Sequence, residues 1–304
     1  MTQRNWRSMA HLARKIGVSF ALVPLLFAAC GRPSQPVAQP VRDGSVRLGD
    51  LVQHYRRSGQ GTPLLLIHGL TNTWRVWRPH IEALAATHDL IIPDLRGHGD
   101  TPNPAATLTP KQVARDMLAL MDALGIKQMQ VAGFSFGGHV ALRMAALQPE
   151  RVEAMVVIAG THRLIGSAVR THEAAVQAGL PSGWYLDEVR KWHPGGEAQV
   201  QQLLRQGAAA ALTEEFPMPD DSLAAIRART LIIQGDRDDW YPLEVPLDLY
   251  RKIPKAQLWV IPNTTHSTVF FSDFAPEGTD LGGTRLAARV FPEIVNSFLA
   301  ERVP

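Results

Sequence analysis

The sequence has little cysteine and no long apolar segment, and these absences exclude several classes of protein. Cys30 is the single cysteine in 304 residues, so no internal disulfide can form. No apolar run reaches the ~20 residues that a membrane-spanning helix needs, which argues against a polytopic membrane protein. The chain also has no H-E-x-x-H or paired C-x-x-C metal motif, no phosphate-binding glycine loop and no long internal repeat. Its 45% hydrophobic and 19% charged residues are typical of a globular enzyme.

The N-terminal segment has the layout of a secretory signal. Basic residues and no acidic ones precede an uncharged, mainly apolar run over residues 16–29, which ends at Cys30. The ending F-A-A-C-G resembles the lipobox of bacterial lipoproteins, although Phe27 stands where that family prefers Leu, Val or Ile. Residues 1–29 are therefore expected to be a signal peptide and Cys30 a lipid attachment site. The alternatives are a membrane-spanning helix and an ordinary cysteine near a cleavage site.

A lipidated tether is expected over residues 30–48, because residues 31–40 are polar and rich in proline. Lipid on Cys30 would anchor the protein to the periplasmic or outer side of a bacterial envelope without a segment that spans the membrane. Residues 1–29 contain four of the 31 basic residues and none of the 28 acidic ones, so their removal changes the formal net charge from +3 to −1. The remaining chain has no excess of positive charge that would favour nucleic acid.

Short apolar runs alternate with longer amphipathic ones from about Gly49 onward, a pattern typical of a parallel sheet with helices on both faces. A helix is predicted from Thr109 to Leu124, because Thr-Pro is a start signal and Gly125 a stop signal. The fold class is therefore α/β, with a mostly parallel, doubly wound sheet. The predicted strands are Leu64–His68, Leu90–Pro93, Gln128–Gly133, Ala154–Ala159, Thr230–Gln234 and Gln257–Ile261.

Residues 162–222 interrupt this alternation, because no strand-like run occurs among them. We predict that this segment is a helical cap inserted into a core formed by residues 49–161 and 223–304. A pair of ordinary crossover helices is the alternative. A cap in this position would lie over one end of the sheet.

The string V-A-G-F-S-F-G-G at residues 131–138 places Ser135 in a G-x-S-x-G pattern between a predicted strand and a predicted helix, His139–Leu147. Gly133 and Gly137 leave room for a tight strand-to-helix turn. Such a turn exposes the serine hydroxyl and directs the first N–H groups of the helix at the attacked atom. Ser135 is therefore the candidate nucleophile, and a simple glycine-rich turn is the alternative.

A serine nucleophile needs a base to take its proton and a carboxylate to orient that base. His266 follows the last predicted strand, at the end where open α/β sheets hold their ligands. Asp236, Asp238 and Asp239 all follow the strand before it, so each is a candidate acid. The order Ser, Asp, His along the chain is the order of one fold in particular.

These motifs, in this order, resemble those of the α/β-hydrolases that have a helical cap, over roughly residues 49–299. The motifs are L-L-L-I-H-G-L-T, D-L-R-G-H-G-D-T with Thr101 in place of the usual serine, the Ser135 turn and the His266 loop. The resemblance implies an α/β-hydrolase fold.

The resemblance also implies roles for individual residues. Ser135, His266 and Asp238 would form a catalytic triad, because Asp238 matches the acid of the family's G-x-x-D pattern. The backbone N–H groups of Leu70 and Phe136 would form the oxyanion hole. Hydrolysis of an ester by this expected triad and oxyanion hole would need no cofactor and no metal.

Aromatic residues near these motifs and in the predicted cap are candidates for the substrate pocket. Some of these residues lie near the loop that carries Leu70 or in the predicted cap, where Tyr185 and Trp192 also lie. Packing between the cap and the core explains the presence of these aromatic residues equally well. If they line the pocket, the substrate is apolar or aromatic. The candidate pocket residues are Trp74, Trp77, His139, Trp184 and Trp240.

The serine at position 135 argues against haloalkane dehalogenases and epoxide hydrolases, which place an aspartate there. The resemblance implies a serine hydrolase that cleaves a small or apolar carboxylic ester through an acyl-enzyme. A carbon–carbon bond hydrolase and a cofactor-free haloperoxidase or perhydrolase are alternatives, because they use the same triad. A non-catalytic, anchored binding protein is a further alternative.

Overall fold

A computed structural model of the chain describes residues 40–301 except 106, 167–168, 171–172, 175–176, 178–182, 214–215, 271–272 and 280. The predicted signal peptide 1–29, Cys30 and the first part of the predicted tether lie outside the described residues. Within the described ranges, no helix is both long enough and apolar enough to cross a membrane.

The core is an eight-stranded sheet with the order β1-β2-β4-β3-β5-β6-β7-β8. Strand β2 pairs antiparallel with β1 and with β4, and every other neighbouring pair is parallel. The predicted α/β class with a mostly parallel sheet is confirmed, and the predicted strands correspond to β3 to β8. The strands are β1 Arg42–Leu48, β2 Leu51–Gly59, β3 Thr62–Ile67, β4 His88–Pro93, β5 Met129–Phe134, β6 Val152–Ile158, β7 Arg229–Gly235 and β8 Ala256–Ile261.

Helices connect the parallel strands. Helix α2 begins where the sequence predicts it, because Pro110 occupies its first turn and the Thr109 side chain accepts a hydrogen bond from the Gln112 N–H at 3.1 Å. Helix α3 begins earlier than the predicted His139. The helices are a 3₁₀ turn at Trp74–Trp77, α1 Arg78–Ala85, α2 Pro110–Ala123, α3 Phe136–Leu147, α4 Trp184–Lys191, α5 Gly196–Ala211, α6 Asp220–Ala224, α7 Glu244–Lys252 and α8 Thr284–Ala300.

The central strands are buried on both faces, which explains their continuous apolar runs. Successive residues of β3 contribute to opposite faces of the sheet: Leu65 packs in the cluster that contains Met117 of α2. Leu66 packs in the cluster that contains Leu84 of α1 and Phe291 of α8. The sheet is therefore held between two layers of helices, and its strand ends are left for the loops that carry chemistry.

The structure corrects the predicted end of the tether. Strand β1, Arg42–Leu48, lies inside the predicted tether 30–48 and pairs along its length with β2. Its sequence R-D-G-S-V-R-L has no apolar run because it is an edge strand whose side chains are exposed or half-buried. The folded core therefore begins before Gly49.

The described residues between β6 and β7 contain helices α4, α5 and α6 and no strand. Helix α5 lies over the loop that follows β3, and the two approach closely at Gly207. A Cβ on Gly207 would be 2.5 Å from the end of the Leu70 side chain, so a larger residue here would require that side chain to move. The bounds 162–222 for the cap stay a prediction, and α6 crosses the predicted boundary at 222.

Candidate active site

Ser135 lies at the junction of β5 and α3 in a backbone conformation that non-glycine residues rarely adopt, with φ 51° and ψ −115°. The Ser135 N–H donates to the Ile158 carbonyl of β6 at 2.8 Å, which holds the turn against the sheet. Backbone strain of this kind costs of order 1–3 kcal/mol and persists where the surrounding structure enforces it.

The two glycines of the G-x-S-x-G pattern make this turn possible. A Cβ on Gly133 would lie 2.2 Å from the Gly137 carbonyl oxygen, and a Cβ on Gly137 would lie 2.3 Å from the Ile67 carbonyl oxygen. Because both obstacles are backbone atoms, no side-chain movement could relieve them. The pattern therefore reflects a close contact between β3, β5 and the start of α3.

His266 lies in the loop after β8 and reaches across to the serine. Its Nε2 is 2.8 Å from Ser135 Oγ, and its Nδ1 is 2.8 Å from Asp238 Oδ2. Since a carboxylate only accepts hydrogen bonds, Nδ1 carries the proton and Nε2 accepts the serine hydroxyl. Residues from three separate strand ends thus form one continuous hydrogen-bonded chain.

The Asp238 side chain is fully buried. Its Oδ2 also accepts from Gln234 Nε2 at 2.7 Å, and its Oδ1 accepts from the N–H groups of Trp240 and Tyr241 at 2.9 Å each. Four hydrogen bonds therefore hold the carboxylate in place, which compensates for its removal from water. This network fixes the orientation of the imidazole.

Asp238 differs from Asp236 and Asp239 in its burial and in its contact with His266. Asp236 and Asp239 are exposed, whereas Asp238 points into the protein toward His266. Asp236 Oδ1 accepts from the Thr264 N–H at 3.2 Å and so links the loops after β7 and β8. Asp238 alone of the three contacts the imidazole.

The loop after β3 carries Leu70, which lines the same cavity as Ser135 and Phe136. Phe136 is the first residue of α3, so its N–H has no acceptor within the helix. The Leu70 carbonyl accepts from Thr71 Oγ1 at 2.6 Å and Asn72 Nδ2 at 3.0 Å, and Asn72 Nδ2 also donates to the Tyr185 hydroxyl at 2.8 Å. Helix α4 is therefore joined to this loop by Tyr185.

Two buried histidines, His68 and His98, form hydrogen bonds with the backbone of this loop. His68 Nδ1 donates to the Gly69 carbonyl at 2.8 Å while its Nε2 accepts the Leu95 N–H at 3.0 Å. His98 Nε2 accepts the Thr71 N–H at 3.2 Å. Burial lowers the pKa of His68 to about 3, so this ring stays neutral and keeps one acceptor nitrogen for the backbone. Both histidines hold backbone rather than substrate.

A cavity of about 280 Å³ opens at Ser135 and His266, and residues of helices α4 and α5 also line it. Its walls are mostly apolar and aromatic, and none of the described lining residues is Lys, Arg, Asp or Glu. Residues that supply its apolar surface include Leu70, Phe134, Leu204, Phe216, Trp240 and Leu281. The cavity suits a small uncharged group.

The candidate pocket residues divide into two sets. His139 and Trp240 line the cavity, and the Trp240 ring lies 5.9 Å from the His266 ring. Trp74 and Trp77 do not line it, which corrects the sequence-based expectation. Trp77 is fully buried against Phe270 in the core.

The guanidinium groups of Arg56 and Arg75 each lie 5.3 Å from the centroid of the Trp74 ring. The Trp74 ring therefore makes cation–π contacts at the surface of the core and does not line the cavity. The side chain of Trp184 lies outside the described residues. Of the two other aromatic residues that the sequence places in the predicted cap, Trp192 packs against Phe274 and Tyr185 lines the cavity.

Two residues of the site have no sequence motif of their own. Tyr241 is 3% exposed, lines the cavity and stacks edge-on to His266 with ring centroids 5.3 Å apart. Gln234, the next-to-last residue of β7, positions the Asp238 carboxylate. Their closeness in sequence to Asp238 is a signal that could have drawn attention to them.

Comparison with known proteins shows the family of this chain. The model of the alpha/beta hydrolase fold matches residues 62–193. A protein of Azorhizobium caulinodans named "Putative carbamate hydrolase RutD" is 36% identical over 247 residues, which cover 75% of this chain and 92% of that protein. The chain belongs to the α/β-hydrolase family.

Other hydrolases are similar to this α/β-hydrolase. The 2-hydroxymuconate semialdehyde hydrolase of Pseudomonas sp. strain CF600 is 32% identical over 275 residues, covering 80% of this chain and 89% of that one. A solved structure named as a putative lipase, from Acinetobacter baumannii AYE, has a TM-score of 0.69 at 21% identity and covers 86% of this chain and 93% of that one. The structural likeness concerns the fold, and the relatives establish that this α/β-hydrolase is a hydrolytic enzyme.

Proposed function

We propose that this enzyme is a serine hydrolase that cleaves a small, apolar carboxylic ester through an acyl-enzyme. The observation that carries the proposal is the hydrogen-bonded chain from Ser135 through His266 to Asp238. The Ser135 end of this chain faces an apolar cavity. This arrangement has a nucleophile, a base within 2.8 Å of it and a buried carboxylate that orients the base.

Acylation begins when His266 Nε2 takes the Ser135 proton as Oγ attacks the ester carbonyl. The N–H groups of Leu70 and Phe136 are the proposed donors to the oxyanion. His266 then gives its proton to the alkoxide leaving group, and an ester of Ser135 remains. The network around Asp238 stabilises the imidazolium that exists between these two steps.

Deacylation repeats these steps with water as the nucleophile. His266 takes a proton from water, the hydroxide attacks the acyl-enzyme, and the C–Oγ bond breaks as His266 returns the proton to Ser135. The products are a carboxylic acid and the free enzyme. The protein residues complete the cycle without a metal or cofactor.

The walls of the cavity favour an uncharged acyl group. A carboxylate in the substrate would lose water on entry and would find no Lys or Arg among the described lining residues. The unpaired burial of a charge costs several kcal/mol. The cavity is therefore better suited to a neutral ester than to an anionic carbon–carbon cleavage substrate.

Two p-nitrophenyl esters of equal acyl length test this proposal, one ending in a methyl group and one in a carboxylate. We expect kcat/KM to be about 100-fold higher for the ester whose acyl chain ends in a methyl group. The carboxylate of the other ester would lose its hydration in the cavity without gaining a cationic partner. Preference for the carboxylate would contradict the proposed substrate class. Faster cleavage of a vinylogous diketone than of any ester would favour the carbon–carbon alternative, and failure of a fluorophosphonate to label Ser135 would favour a binding protein.

We also propose that the protein is exported and anchored by lipid on Cys30. The support is the sequence alone: a basic start, an apolar run and a small-residue stretch before Cys30, followed by a proline-rich segment. A single acyl chain binds membranes only weakly, so stable anchoring would need more than one chain. The enzyme would then act on the periplasmic or outer side of a bacterial envelope.

Replacement of Cys30 with serine is expected to release the enzyme into the soluble fraction of lysed cells, because the attachment point for lipid is lost. Immunoblots of the membrane and soluble fractions measure the effect. Ser34→Ala, in the same segment, is the matched control and should leave the enzyme in the membrane fraction. Membrane retention of the Cys30→Ser protein would indicate an uncleaved helix instead.

A further inference from the structure

Asn72 contacts the peptide groups on both sides of Leu70, the residue whose N–H is a proposed oxyanion donor. Its backbone N–H donates to the Gly69 carbonyl at 3.1 Å, and its side-chain Nδ2 donates to the Leu70 carbonyl at 3.0 Å. A peptide group is planar and trans, so its carbonyl and its N–H point in opposite directions. A fixed Gly69 carbonyl therefore fixes the direction of the Leu70 N–H, and a fixed Leu70 carbonyl restrains the backbone on the other side of the same residue.

The loop that carries Leu70 is strained and needs such support. Thr71 has a φ of 63°, a conformation that β-branched residues rarely adopt. Strain of this kind persists where neighbouring groups enforce it. Two side chains from outside the loop hold it: His98 Nε2 accepts the Thr71 N–H at 3.2 Å, and the Tyr185 hydroxyl accepts from Asn72 Nδ2 at 2.8 Å. Asn72 is thus a point at which helix α4 meets this loop.

The Asn72 amide has one favourable orientation. The Leu70 carbonyl can only accept a hydrogen bond, so the NH₂ group of the amide must face it. The other amide atom, Oδ1, is then buried, and no described residue donates to it. An unpaired buried acceptor destabilises a folded protein. The amide is therefore a poor source of stability, and what it supplies is its two donor hydrogen bonds.

We propose that Asn72 is a positioning residue for the oxyanion hole and that the Tyr185 hydroxyl orients its amide. This inference rests on the proposed serine acyl-transfer function. Nδ2 holds the Leu70 carbonyl, and with it the backbone that directs the Leu70 N–H toward the oxyanion. Tyr185 belongs to the segment between β6 and β7, so the hole is complete only while α4 is packed on the loop after β3.

This role affects the transition states and not the binding of substrate. In both halves of the cycle the carbonyl oxygen becomes an oxyanion, and the hydrogen bonds of the hole strengthen at that stage. A misdirected N–H should therefore lower kcat and kcat/KM by the same factor and leave KM nearly unchanged. A residue needed only for folding would instead lower the melting temperature.

Asn72→Leu tests the proposal, because leucine has nearly the shape of asparagine and cannot donate a hydrogen bond. With a p-nitrophenyl ester we expect kcat to fall about 10- to 100-fold, less than the roughly 10²- to 10³-fold loss when an oxyanion donor is removed outright. The inhibition constant of a trifluoromethyl ketone, whose adduct with Ser135 would carry an oxyanion, should rise by the same factor. The melting temperature should not fall, because the unpaired Oδ1 is removed as well.

Tyr185→Phe tests the second part, because it removes the hydroxyl and keeps the ring on α4. We expect kcat to fall about 3- to 10-fold, the effect of one lost neutral hydrogen bond. In the Asn72→Leu background the same change should have no further effect, since the amide through which Tyr185 acts is already absent. Losses that multiply in the double variant would contradict the role of Tyr185.

Asn296→Leu and Tyr250→Phe are the matched controls. Asn296 Nδ2 also donates to a backbone carbonyl, that of Ala83 at 3.2 Å, but the residue lies on α8 and does not line the cavity. Tyr250 is 46% exposed on α7. Both variants should have wild-type kinetic constants and wild-type affinity for the trifluoromethyl ketone. Circular dichroism and fluorophosphonate labelling report whether each variant is folded and has a competent nucleophile.

The outcomes separate this inference from the function on which it rests. An active wild type beside a folded Asn72→Leu protein with unchanged kcat overturns the role of Asn72 alone, and so does a lower kcat with unchanged affinity for the trifluoromethyl ketone. If Asn72→Leu does not fold, Tyr185→Phe decides, and an unchanged kcat in that variant overturns the proposal. A wild type that forms no acyl-enzyme with any ester overturns the proposed function and this inference together.

Discussion

Ser135→Ala is expected to lower kcat for ester hydrolysis by at least about 10⁴-fold, since it removes the oxygen that we propose forms the acyl-enzyme. The rest of the site stays in place: His266 and Asp238 keep their own hydrogen bond at 2.8 Å. Steady-state turnover of a p-nitrophenyl ester, with the background rate subtracted, measures the loss. Fluorophosphonate labelling of the same protein should also disappear.

The backbone at this position supplies a matched control for stability. Alanine has the same difficulty as serine at φ 51°, so Ser135→Ala should melt close to the wild type. Ser135→Gly removes that difficulty and should be more stable than Ser135→Ala by about 1 kcal/mol. Both proteins should be equally inactive. Ester turnover by either one above background would mean that another residue is the nucleophile.

Asp238→Asn is expected to lower kcat by about 10⁴-fold, the loss found when a triad carboxylate becomes an amide. An amide NH₂ facing His266 would donate to Nδ1 and so force the proton onto Nε2. The imidazole could then no longer accept the Ser135 proton. Because the amide has nearly the same shape as the carboxylate, the fold should be retained.

Asp236→Asn and Asp239→Asn are matched controls, since both residues are exposed and lie in the same loop. Each should change kcat by less than about tenfold, and circular dichroism should find all three proteins folded. If Asp239→Asn were the more damaging change, Asp238 would not be the acid. A pH–rate profile of the Asp238→Asn protein would test the tautomer argument, because hydroxide should partly restore activity at high pH.

Sequence patterns predicted the central strands and the position of the candidate nucleophile, because these depend on local chemistry. A strand covered by helices on both faces needs a mainly apolar sequence, as in β4 and β5, where every residue is buried. A turn as tight as the one at Ser135 needs glycines at positions 133 and 137. Strand β1 escaped prediction because an edge strand is held by backbone pairing and needs no apolar run.

Side-chain partners at a distance could not be predicted in the same way. Trp77 and Trp240 are both apolar aromatic residues near motifs, yet one is buried in the core and the other lines the cavity. Aromatic rings pack equally well in either environment, so only the tertiary arrangement of the helices and loops decides which of them meets the cavity. The contact of the Trp74 ring with Arg56 likewise joins residues that are apart in the sequence.

The sequence by itself determined the α/β class, the serine turn and the order of the candidate groups along the chain, since each follows from local periodicity or backbone sterics. Only the tertiary structure decided which of three neighbouring aspartates meets His266, because the choice depends on which side chain turns inward where β7 and β8 end side by side.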